Sequence, residues 1–112
     1  MKILSSLIIL VAIISCSTND SKALEPSCLA DQVTYFTENE ACNSDASVRE
    51  YEFQEEVVYV FDRGNCLDDA AHPVVNYDCD TIGYLEGFAG ITKINGEEFF
   101  GNAEFVSTLF EN

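Results

Sequence analysis

Cysteine constrains this chain more than any other residue type. There are five in 112 residues. Cys16 closes an apolar N-terminal run and stands apart from the rest. Setting it aside leaves Cys28, Cys42, Cys66 and Cys79, an even set in a stretch small enough for one domain. A core of that size is marginal, and small domains that work in oxidising compartments are commonly closed by disulfides. Two disulfides are therefore expected, in one of three connectivities. The sequential pairing, Cys28–Cys42 and Cys66–Cys79, closes loops of about 14 residues, each worth on the order of 3 kcal/mol. It is the expectation taken forward. Nested or crossed pairings would instead tie the front of the domain to its β-rich body. A zinc site would show close pairs such as C-x-x-C, which are missing. A reactive thiol would want a neighbouring histidine, and His72 lies six residues from Cys66 and seven from Cys79.

The N-terminus supplies the oxidising compartment. Lys2 precedes Ile3, Leu4 and the run from Leu7 to Ile14, broken only by Ser5 and Ser6, and small Ser15 follows. This is the layout of a secretory signal, and it is shorter than the roughly 18 apolar residues that span a bilayer. Ile13-Ile14-Ser15-Cys16 resembles the bacterial lipobox. That resemblance implies cleavage before Cys16, a diacylglycerol thioether on its sulfur and acylation of the new amine. Three acyl chains hold a protein at a membrane without help from its surface, where one chain would be marginal. The division is then signal peptide 1–15, lipidated cysteine and tether 16–25, and one domain over 26–112. Residues 17–22 are small and polar, as a tether requires. Ser17, where an Asp would favour inner-membrane retention, points to the outer membrane, with the domain facing periplasm or exterior.

Charge excludes other attachments. Beyond the cut, Lys22, Arg49, Arg63 and Lys93 stand against 20 acidic residues, and the full chain carries −15. Such a surface repels nucleic-acid backbones and anionic headgroups alike. Its partners would be the membrane through lipid on Cys16 and an envelope protein or carbohydrate.

Periodicity gives an α+β domain. Leu29, Val33 and Phe36 recur at helical spacing after Pro26, predicting a helix over 26–38. Alternation over 47–53 and 57–61 predicts a hairpin through Gln54-Glu55-Glu56, although the turn lacks Asn-Gly or Asp-Gly. The second strand is apolar on both faces, so it should be central. A short strand is expected over 73–77. Gly83, Gly87 and Gly90 argue for bulged strand or close backbone approach rather than helix. Asn95-Gly96 should join strands near 89–94 and 97–100. Residues 103–110 alternate imperfectly and are assigned to strand, though Phe99, Ala103, Val106 and Phe110 also fit a helix. The sum is one N-terminal helix packed on a small, mostly antiparallel sheet.

The body of the chain also resembles a known group. Tyr51-x-Phe53, Val58-Tyr59-Val60-Phe61, Cys66-Leu67-Asp68, Asp78-Cys79, Gly83-Tyr84-Leu85 and Gly87-Phe88-Ala89-Gly90 look like a family of small bacterial lipoprotein domains of unknown function, over roughly residues 27–110. The resemblance implies a lipid anchor, a short tether and a small cysteine-containing domain. It brings no activity with it.

Candidate chemistry is sparse. Asp62, Asn65, Asp68, Asp69, Asp78 and Asp80 place oxygen ligands in loops, as Ca²⁺ uses them, but without the EF-hand spacing. The same residues favour turns by bonding local backbone. No cofactor is required, and Ca²⁺ is the one considered. His72 reads as a loop histidine. Tyr84 and Phe88, if exposed, would suit a protein or carbohydrate contact. The reading is a non-enzymatic interaction or structural domain at the envelope. The alternative is an envelope enzyme or inhibitor working through the acidic loops, with calcium.

Overall fold

The computed structural model describes residues 26–66 and 70–112. Cys16, the signal, the tether, Asp68 and Asp69 lie outside the described residues. Within them no helix is long and apolar enough to cross a membrane.

The elements run α1 (Ser27–Asn39), β1 (Ser47–Phe53), β2 (Glu56–Asp62), β3 (His72–Asn76), β4 (Thr81–Leu85), β5 (Lys93–Ile94), β6 (Glu97–Glu98), a single helical turn α2 (Phe99–Asn102) and β7 (Glu104–Glu111). Five strands form one antiparallel sheet in the order β4-β3-β2-β1-β7, and β5 and β6 form a separate hairpin. The α+β expectation therefore holds in outline. The sheet is larger than expected, and helix is confined to α1 and one turn. The strands expected near 89–94 and 97–100 shorten to two residues each, because Phe99 turns the chain into α2.

Burial explains the layering. Val57, Tyr59 and Phe61 of β2 face α1, while Val58 and Val60 face the other way, so β2 is the apolar centre of the sheet. On the helix side, Leu29 and Phe36 of α1 meet Val48, Tyr59, Phe61 and Val75, with Phe36 edge-on to the rings of Phe61 and Phe110. On the opposite side, Phe53, Val58, Val60, Val74 and Leu85 are covered by Ile94 and Phe99 from the β5–β6–α2 segment. Gly83 packs closely there, since a Cβ would come within 2.7 Å of the tip of the Ile94 side chain, which would have to shift. The imperfect alternation of the last strand has a cause. Pairing of β7 with β1 shifts twice, leaving Leu109 and Val106 as extra residues, and Leu109 and Phe110 both reach the helix-side core.

Two turns are informative. Asn95 and Gly96 both adopt positive φ and close the β5–β6 hairpin, as their chemistry predicts. Gln54 and Glu55 also take positive φ in a two-residue loop between β1 and β2. The usual residues are absent there. Gln54 is held instead by side-chain hydrogen bonds with Glu97 and Asn95.

The sequential disulfide pairing is incorrect. The bonds are Cys28–Cys79 and Cys42–Cys66, a nested pair with Cα–Cα separations of 6.3 and 5.6 Å. The reason is the length of α1. Its 13 residues span about 20 Å, far beyond disulfide reach, so Cys28 and Cys42 lie at opposite ends of the helix. β3 separates Cys66 from Cys79 in the same way. Cys28 and Cys79 meet at the end of the sheet where β3 turns into β4. Cys42 and Cys66 meet at the other end, where the Cys42 N–H also donates to the Arg63 carbonyl.

Tyr59, buried beneath α1, has its phenol pKa pushed up to about 12, chiefly by burial, with Glu50 and Tyr77 adding to it.

Peptide mapping without reduction should recover Cys28–Cys79 and Cys42–Cys66. The bonds close separations of 51 and 24 residues, so replacing each pair by alanine should cost about 4 and about 3.5 kcal/mol in denaturant titrations. Recovery of the sequential pair would refute the assignment. Absorbance titration should show one phenol ionising near pH 12 that Tyr59→Phe removes. The folded state holds this proton more tightly than the unfolded chain. Its contribution to stability is thus complete below about pH 10 and lost as pH rises through about 12.

Candidate functional site

The most developed concavity is a cleft of about 460 Å³ between α1 and the β3 side of the sheet. Its walls follow from how α1 lies. Phe36, Phe61, Pro73 and Val75 line the apolar middle, and Tyr35 stands at the lip with 59% of its surface exposed. Asp31, Gln32, Glu40 and Thr81 supply the polar lining. A volume in this range and a mostly apolar wall with few polar groups are what small-molecule sites share.

Gln32 is the telling residue. Its Nε2 donates to the Cys79 carbonyl at 3.0 Å. Its Oε1 is buried and accepts no hydrogen bond, alone in this among side-chain atoms of the described residues. Turning the amide over would not help, because Oε1 would then face a carbonyl oxygen. An orphaned buried acceptor costs about 1–3 kcal/mol.

A second, polar hollow lies at the far end of the sheet, around Asp62, His72 and Glu86. His72 opens β3 and is largely enclosed, rather than lying in an exposed loop. The Arg63 N–H donates to its Nδ1 at 3.4 Å. Nε2 lies 3.6 Å from carboxylate oxygens of both Asp62 and Glu86. Asp62 also accepts the Gly64 N–H at 2.8 Å. The ring thus joins the ends of β2, β3 and β4.

The acidic candidates divide accordingly. Asp62 and Asn65 sit at the His72 end. Asp78 and Asp80 sit in the β3–β4 turn, opposite the start of β2 and roughly 15 Å away along the strands. There both backbone N–H groups are taken by the Asn76 side chain. The observed role of Asp62 and the setting of Asp78 and Asp80 are turn chemistry. Among the described residues no group of three or more His, Cys, Asp or Glu is placed to hold a metal ion.

Sequence reasoning missed the cleft residues. Asp31, Gln32 and Tyr35 flank the Leu29–Val33–Phe36 stripe, and only the unevenness of α1's cover over the sheet gives them a role. It also missed an aromatic group formed by Tyr51, Phe53, Phe99, Phe100 and Phe105, with ring centroids 4.8–5.9 Å apart. Phe100 and Phe105 of that group are more than half exposed, as are Tyr84 and Phe88.

A family profile, Domain of unknown function (DUF6970), matches residues 30–112, and the chain belongs to that family. The match begins within α1, after Cys28, and takes in the whole sheet, the other three disulfide cysteines and the cleft residues. No curated protein and no solved structure matches the chain.

Gly64 shapes the His72 hollow. It holds φ +91°, and a Cβ would collide with the backbone of Ser44 and Ala46. Gly64→Ala should lower stability by about 2 kcal/mol or more. Chemical denaturation should show this. Wild-type stability of the variant would mean the turn is free to rearrange.

Proposed function

We propose that this DUF6970 protein is a lipid-anchored protein of the bacterial envelope, held by acyl chains on Cys16 in the outer membrane. Its oxidised domain serves there as a non-enzymatic binding module, facing periplasm or exterior. The observation that carries the reading is the cleft beneath α1. A helix fastened to the sheet near both of its ends, by Cys28–Cys79 and Cys42–Cys66, gives that cleft a fixed shape. Preformed shape is what a binding site needs to avoid an ordering cost on association. Two disulfides also suit an oxidising compartment. The excess of acidic residues gives the surface no affinity for anionic lipid, so attachment falls to Cys16.

The anchor is tested by labelling cells with a palmitate analogue and separating membrane from soluble fractions. The wild-type chain should carry label and sediment with membranes. Cys16→Ser should carry no label. An unlabelled wild-type chain, or a labelled variant, would overturn the anchor.

A further inference from the structure

We infer that the outer edge of β7 takes up an extended basic peptide as a further strand, its side chains alternating between lysine or arginine and apolar residues. The surface is separate from the cleft, and the inference stands without it.

β7 is the longest strand and forms one edge of the sheet, paired on one side with β1 and, among the described residues, with no strand on the other. An edge strand presents backbone N–H and C=O groups that another extended chain satisfies in series. Edges are commonly guarded by lysine, proline or short length. β7 has eight residues and neither lysine nor proline. Phe105 and Val106 leave more than half of their surface exposed along it.

The two faces beside this edge differ. Glu50 and Glu52 alternate with Tyr51 along β1 and lie on the α1 face with Val48. Glu104 pairs directly with Glu52, and both are exposed. Like charges directly opposite one another repel, and neither carboxylate has a cationic partner among the described residues. On the opposite face, Phe105 meets the ring of Tyr51 at 5.9 Å, and Tyr51 meets Phe100 at the same distance. An added strand points successive side chains to opposite faces. One of its residues lies against Glu104, where lysine or arginine relieves the repulsion with Glu52. The next lies against Phe105 and is apolar.

A second copy fits this edge poorly. Fully overlapped antiparallel pairing of two β7 strands sets Glu104 against Glu111 of the copy at each end, between chains of net charge −15. The two shifts in the β1–β7 pairing also twist the edge, which tells against a long flat union.

The test is fluorescence polarisation with the full chain in neutral-lipid nanodiscs and a labelled, end-capped heptapeptide alternating lysine and valine. It should bind, and hydrogen exchange of the β7 amides should slow in the complex. The peptide with glutamate for lysine should not bind, nor should the lysine peptide with two adjacent central amides N-methylated. A peptide of the same composition with its lysines and valines in separate blocks should bind more weakly. Glu104→Gln should weaken binding about threefold without lowering stability, since it removes a repulsion. Phe105→Ala should weaken binding about fivefold. Glu38→Gln, on α1, removes the same charge and should leave binding unchanged. Circular dichroism matching wild type would show that each variant is folded. No binding at about 1 mM peptide, equal binding of the N-methylated or block peptide, equal weakening by Glu38→Gln, or protection of other amides in place of β7 would overturn the inference. Concentration-dependent protection of β7 without peptide, the mark of pairing between copies, would overturn it as well. Any of these results leaves the lipid anchor and the cleft standing.

Discussion

The domain depends on α1 being fastened to the sheet near both of its ends. The helix presents only a narrow apolar stripe, with Leu29 and Phe36 as its fully buried residues, and it has no side-chain cap at its N-terminus. An isolated helix of this length is marginal in water. Packing on Val48, Tyr59 and Phe61 stabilises it, and the two disulfides restrict how far it departs when that packing loosens. Polar contacts act at the same two places. Gln32 bonds the Cys79 carbonyl at one end, and Arg63 Nε donates to the Glu40 carbonyl at the other. Covalent and hydrogen-bonded restraints thus coincide, which fixes the height of the helix above the sheet.

That restraint also explains why a small domain can have two cores. The five-stranded sheet separates the helix-side cluster from the cluster under the β5–β6–α2 segment, and each is modest. β2 belongs to both, because Tyr59 and Phe61 point one way and Val58 and Val60 the other. Loss of α1 would expose one face of the central strand. The chain as a whole would then rely on the second cluster, whose cover is short elements and the tightly apposed Gly83 and Ile94.

Much of this was legible in the residues, and what was not has physical reasons. The helix over 26–38, the β1–β2 hairpin and the two-faced β2 follow from periodicity alone. The disulfide pairing was legible only in part, since the residues leave nested and crossed pairings open. A helix between Cys28 and Cys42 already excludes bonding them, so the sequential expectation conflicted with the helix assigned beside it. β7 was blurred by two bulges, which place Leu109 and Phe110 on one side and disturb the period of two. The β1–β2 turn carried no signal because Gln54 is stabilised by Asn95 and Glu97, residues some forty positions away. The cleft was beyond sequence for a related reason. Whether Gln32 and Tyr35 are solvated or line a cavity depends on how far α1 reaches across β3, and no local pattern encodes that distance.

The uneven cover of the sheet by α1 connects stability with the candidate site. Were α1 to settle closer to β3, the half-buried Pro73 would be better covered and the cleft would close, whereas Phe61 and Val75 are already buried. Two constraints act against this. Cys79 holds the first turn over the β3–β4 bend, and Cys66 holds the chain after the helix at the far end of β2. Gln32 then takes its place between the helix and the Cys79 backbone, one half of its amide satisfied and the other not. A leucine there would forgo one hydrogen bond but remove an unpaired acceptor, an exchange close to neutral for folding. The orphaned oxygen is therefore poorly explained as a stabilising feature.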